Sequence, residues 1–137
     1  MADQIIAQKI SSLARCINRI EEKRPPAIDK LINDFDLQDI LSVNLERAIQ
    51  QCVDIAMIVS SSLDVPTPAT MAEAFEELMN RKVISEKVAK NMISAVGFRN
   101  VIVHTCRKVD WEIVWSIITL HLDDFRKFSR EIIDHGF

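Results

Sequence analysis

The stretch "DLQDILSVNLERAIQQCVDIAMIVSSS", residues 36–62, decides the fold. Within it Leu37, Leu41, Leu45, Ala48, Cys52, Ile55 and Val59 recur at intervals of three and four, the period of one face of an α-helix and not the alternation of a strand. No glycine or proline interrupts the run, so the stripe predicts a single helix of about six turns with Asp36 as its N-cap and Asp39 three residues on. A helix with so long an apolar face needs neighbours of similar length to cover it. The flanking sequence supplies them.

Upstream, Ile6, Ile10, Leu13, Ile17 and Ile20 mark a first helix. Pro25 and Pro26 stop it, because proline has no N–H to donate and its ring clashes with the preceding turn. Downstream, "SSSLDVPTPAT" (60–70) reads as a loop, and Thr70 with Glu73 three residues later is a capping box that opens a short third helix through about Asn80. Ser85 caps a fourth helix, which carries the stretch 97–108. Asp110 caps a fifth, with Trp111, Trp115, Ile118, Leu122, Phe125 and Ile132 along one side. The expected fold is all-α: an antiparallel helical bundle of four long helices plus one short helix, forming a single domain over residues 1–137.

Composition agrees with this and narrows the function. The chain has 48% hydrophobic and 27% charged residues with only two glycines and four prolines, the profile of a folded helical protein and not of a disordered or β-rich one. A formal charge of −3 excludes a strongly basic nucleic-acid platform but leaves room for a small positive site. The opening "MADQIIAQKISSLARC" (1–16) contains no apolar run of signal-peptide or membrane length, so no membrane association and a cytoplasmic location are expected. Cys16, Cys52 and Cys106 are odd in number, far apart and without a C-x-x-C pair. They read as reduced thiols, two of them in the core, and no metal or cofactor is expected.

Two groups of polar residues stand out against the apolar pattern. The first is "GFRNVIVHTCRK" (97–108), where Arg99, Asn100 and His104 fall in six residues of an otherwise apolar helix. Asn100 and His104 are four apart, so the amide can touch and orient the imidazole. Arg99 lies five residues from His104, about 140° round the helix and roughly 7.5 Å along it, so one copy of the motif does not pinch a substrate; two copies about a two-fold axis can. An imidazole that titrates near neutrality and a guanidinium are what RNA cleavage needs: the first moves protons at the ribose 2′-hydroxyl or the leaving oxygen, and the second holds charge on the phosphorane. A solvated arginine beside a histidine at a helix end would look the same in sequence. The second group is a half-polar stripe beside the core face of residues 36–62: Ile40, Val43, Arg47, Gln50, Asp54 and Met57. Arg47 and Asp54, two turns apart, are either ordinary exposed charges or one wall of a site. His121 reads as a hydrogen-bonded structural histidine, and Trp111 and Trp115 as core or dimer packing. There is no Gly-rich phosphate loop, no H-E-x-x-H and no G-x-S-x-G.

Taken together, "GFRNVIVH", "VDWEIVW" and "LDDFRKF", preceded by "NLERAIQQCVDIA" and "VPTPATMAEAFEEL", resemble the HepT family of HEPN-domain proteins over roughly residues 37 to 130. The resemblance implies an all-α fold and a symmetric homodimer. It also implies the toxin of a type VII toxin–antitoxin pair, in which the R-x-x-x-x-H motifs of two subunits compose a metal-independent endoribonuclease site. The implied partner is MntA, a minimal nucleotidyltransferase antitoxin that attaches AMP to the toxin. Arg99 and His104 match the catalytic pair, and Asn100 matches the polar residue that often follows the arginine. The family motif continues to a tyrosine that accepts AMP. Here Cys106 occupies that position, and the chain contains no tyrosine at all. Two alternatives remain open at this point: a non-catalytic HEPN module that binds a nucleotide or a nucleotidyltransferase, and a plain helical dimerisation protein.

Overall fold

The stripe of residues 36–62 forms the longest helix of a computed structural model that describes residues 2–105 and 109–137, with side chains described at 3–99 and 109–137. Seven helices occur in the described residues: α1 (Ala2–Lys23), α2 (Ile28–Ile32), α3 (Phe35–Ser62), α4 (Met71–Asn80), α5 (Glu86–Thr105), α6 (Trp111–Leu120) and α7 (Leu122–Asp134). No strand is found among those residues. The long helix α3 touches α1, α2, α4, α5 and α7, and its Leu41, Leu45, Ala48, Cys52, Ile55 and Val59 are all buried in the common core.

Side-chain pairs give the directions of the helices. Lys9, early in α1, meets Asp54, late in α3; Glu21, late in α1, meets Arg126, early in α7. Ser85, just ahead of α5, is bonded to Glu131 near the end of α7, and Met71, at the start of α4, meets Arg99, late in α5. Each pair joins an early residue to a late one, so these neighbours run antiparallel, as the helix pattern led one to expect. Phe75 of α4 and Phe128 of α7 cross edge to face, with ring centroids 5.6 Å apart at 74°, and close the core across the bundle.

The helix count departs from expectation at two places, each with a physical cause. Between the Pro25–Pro26 stop and α3 the chain forms the short helix α2, whose one buried side chain, Leu31, leaves no periodic stripe to read. Asp34 and not Asp36 then caps α3, accepting from the Leu37 amide at 3.1 Å, while Gln38 Nε2 donates back to the Leu31 and Ile32 carbonyls that end α2. The expected fifth helix is broken at His121 into α6 and α7. Arg24 Nη1 donates to the Ile118 carbonyl at 2.7 Å, the acceptor that an unbroken helix would offer to the Leu122 amide. Thr119 Oγ1 also donates to the Trp115 carbonyl at 2.7 Å, a back-bond of the kind that bends helices.

Candidate functional site

The candidate motif rides on α5, which is anchored firmly at its start. Ser85 Oγ accepts from the Val88 amide at 3.3 Å, and the Glu131 carboxylate accepts from both the Ser85 amide, at 2.6 Å, and its hydroxyl, at 3.1 Å. Val88, Ala89, Met92 and Val96 are buried and fix the rotation of the helix. That rotation determines where Arg99 goes. Its side chain is half-buried, Nη1 donates to the thioether of Met71 at 3.8 Å, and Nε is buried without a hydrogen-bond partner among the described residues. No carboxylate stands within ion-pair distance of Arg99 among the described residues.

The course of α5 through Thr105 puts Arg99, Asn100 and His104 on one helix, as expected. The side chains of Asn100 and His104, and the whole of Cys106, lie outside the described residues. An α-helix running through Thr105 sets the backbone positions of residues 99 and 104 about 140° apart round its axis.

The half-polar stripe of α3 faces α1. Asp54 Oδ2 is 3.1 Å from Lys9 Nζ, and Asp54 Oδ1 accepts from Gln50 Nε2 at 2.8 Å. Arg47 is exposed beside Cys16 of α1; burial pushes that thiol's pKa up, and the Arg47 charge works against the rise. The structure therefore gives Arg47 and Asp54 neighbours on α1, and neither makes a hydrogen bond or ion pair to Arg99 among the described residues.

Other residues singled out in sequence fall as follows. Cys16 and Cys52 are buried, free thiols, the two core cysteines expected. Trp111 and Trp115 are half-buried against the core. His121 is hydrogen-bonded, its Nδ1 3.0 Å from Asp124 Oδ2, but it sits exposed at the α6–α7 break and not inside an apolar stripe. Between α5, α6 and α7 lies a cleft of about 360 Å³ walled by Met92, Ala95, Phe98, Ile117 and Phe125. On α6, Ile113, which also lines this cleft, and Leu120 are 48% and 73% exposed. Among the described residues no three His, Cys, Asp or Glu side chains converge in a way that could hold a metal ion, and no helix is long and apolar enough to cross a membrane. Met71 escaped the sequence reading, since nothing in a capping-box helix signals that its first residue will meet an arginine 28 residues later.

Comparison with known proteins gives the family and supports the fold. The chain belongs to the ribonuclease HepT-like family, whose model matches residues 13–132. It is 31% identical over 126 residues to the mRNA nuclease HepT of Shewanella oneidensis, covering 92% of this chain and 94% of that protein. To the tRNA nuclease HepT of Aphanizomenon flos-aquae it is 25% identical over 128 residues, 93% of this chain and 87% of that one. Its structure matches that of the tri-AMPylated Shewanella oneidensis HEPN toxin, solved in complex with MNT antitoxin, with a TM-score of 0.89 over 95% of this chain and 97% of that one at 31% identity.

Proposed function

We propose that this protein is the ribonuclease toxin of a toxin–antitoxin pair, acting in the cytoplasm and neutralised by a MntA-type nucleotidyltransferase. Its cleavage site is composed by Arg99 and His104 from two copies of the chain, with Asn100 steadying the imidazole. The reaction is attack of a ribose 2′-hydroxyl on the adjacent phosphate. One His104 takes the hydroxyl proton and the other gives a proton to the departing 5′-oxygen, leaving a 2′,3′-cyclic phosphate and a free 5′-hydroxyl. Arg99 holds the charge that builds on the phosphorane oxygens. Since these side chains supply acid, base and positive charge, the reaction needs no metal ion.

The observation that carries this reading is the state of Arg99. Buried arginines that serve structure are paired with carboxylates, because an unneutralised guanidinium away from water is costly. Arg99 is half-buried with no carboxylate at hand among the described residues, as a group reserved for a phosphate should be. The outer face of α6 supports the dimer: a helix apolar nearly all round belongs in an interior, yet Leu120 and, at the rim of the cleft beside α5, Ile113 lie open, where a second copy can cover them.

Expression of the chain alone is expected to slow growth, and the purified protein to cut single-stranded RNA in the presence of excess chelator. His104→Ala should reduce cleavage by ~10²–10⁴ and relieve the growth defect, with thermal unfolding unchanged. A folded His104→Ala protein that remains as toxic and as active would instead make this chain a non-catalytic HEPN binding module.

A further inference from the structure

The contact between Arg99 and Met71 joins the motif to an element that no motif mentions. Met71 is the first residue of α4, and that turn is fixed from both sides: the Thr70 hydroxyl accepts from the Glu73 amide at 3.1 Å, and the Glu73 carboxylate accepts from the Ala69 amide at 2.8 Å. The backbone that carries the thioether is thus fixed. Arg99 Nη1 donates to it at 3.8 Å, the one hydrogen bond that orients the guanidinium among the described residues. A thioether is a weak, uncharged acceptor. It can fix the direction of a guanidinium without neutralising it, whereas a carboxylate in the same place would hold the arginine and cancel its charge.

We propose that Met71 is a positioning residue for Arg99: its thioether aims the guanidinium while leaving the positive charge free for an RNA phosphate. The proposal rests on the function given above, which makes Arg99 the group that stabilises the phosphorane. It follows that α4 and its capping box act on the reaction at a distance in sequence, through one sulfur atom. It follows too that the chemistry of residue 71 is constrained by charge as well as by size.

Three variants of the full chain separate positioning from packing, read by RNA cleavage, by thermal unfolding and by the ¹⁵N NMR signal of the Arg99 Nε–H, which is assigned by its disappearance in Arg99→Lys. In Met71→Ala the Nε–H signal should shift and exchange faster, and kcat should fall by about ten-fold with KM little changed, since a misaimed group hurts the transition state more than binding. Met71→Leu keeps the volume and loses only the acceptor, so a fall of roughly two- to three-fold is expected. Met71→Glu decides most sharply. An acidic residue in the first turn suits the helix dipole, so the protein should melt no lower than wild type, yet the new carboxylate pairs with Arg99 and cleavage should drop by ~10². A Met71 that merely packs would show the opposite order, with Met71→Glu no less active than Met71→Ala. An unmoved Arg99 signal in Met71→Ala, or wild-type cleavage by Met71→Glu, overturns the proposal. If the wild-type chain cuts no RNA, it is the function above that fails, and the Arg99 signal alone then upholds or overturns the Met71 contact.

Discussion

At the scale of single residues, the arginine and histidine of a six-residue motif were legible because residue type and spacing carry chemistry directly, while the environment of Arg99 was not. A guanidinium looks the same in sequence whether it is solvated, paired or held by a thioether; only the packing of α4 against α5 settles which. Cys106 poses the converse case, a residue whose identity alone has a consequence. Where the family motif has an AMP-accepting tyrosine, a thiol with an ordinary pKa of about 8.5 would give a labile phosphorothioate ester in place of a stable phosphodiester. Incubated with a MntA-type nucleotidyltransferase, ATP and Mg²⁺, the wild-type chain should gain no AMP at residue 106, and Cys106→Tyr should gain it. Intact-mass spectrometry with peptide mapping checks both; AMP on Cys106, or none on the tyrosine variant beside an active partner, contradicts the expectation. Cys16 and Cys52 do not compete as acceptors, because burial raises the pKa of both and keeps them as thiols.

At the scale of elements, the helices with a sustained apolar stripe were all readable, and so were the caps at Thr70, Ser85 and Asp110, whose side chains accept from the amides of Glu73, Val88 and Glu112. What could not be read was anything settled by a partner far away in sequence. The break between α6 and α7 depends on Arg24, which reaches 94 residues along the chain to the Ile118 carbonyl. The end of α4 offers a test of local strain. Lys82 has φ 61° in the left-handed region, where the Val83 amide donates to the Leu78 carbonyl at 2.9 Å and the Lys82 amide to Met79 at 3.0 Å. This is a helix stop that glycine usually fills. Lys82→Gly should stabilise the protein by about 0.5–1 kcal/mol in chemical denaturation with an unchanged slope, because it removes a Cβ clash at a turn and no contact elsewhere. A loss of stability would show that the lysine stem packs in a way its backbone does not reveal.

At the scale of the whole molecule, two expectations follow from how the helices are tied and how copies combine. Arg126 of α7 bonds Glu21 of α1, and that hydrogen bond holds the Glu21 carboxyl below its ordinary pKa. A depressed folded pKa stabilises the fold above the unfolded carboxyl value of about 4.3 and ceases to do so as pH falls through the folded value. Melting temperatures of wild type and Glu21→Gln should therefore differ slightly at neutral pH and converge on acidification, both partners being exposed enough for water to weaken the pair. A gap that widens in acid would refute this. The second expectation concerns assembly. If the site is composed across a dimer, a chain carrying both Arg99→Ala and His104→Ala should be inactive and should also poison the wild type. Unfolded together and refolded in equal amounts, the two should show well below half the cleavage of the same total amount of wild type, because a mixed dimer has lost one of the two histidines its site uses. A mixture that keeps half would place the whole site within one chain.

The amino-acid sequence by itself determined that this protein is helical, where most of its long helices lie, that two of its cysteines are buried and which two residues have the chemistry to cleave RNA. All of these depend on period, on local capping or on residue type, and such signals act within a few residues. The tertiary structure alone decided the extra helix α2, the break at His121, the pairing of Asp54 with Lys9 and the seat of Arg99 on Met71. The first has too short a buried face to leave a stripe, and the other three rest on bonds to residues 28 or more positions away in the chain. Only the packed bundle brings such distant partners within reach.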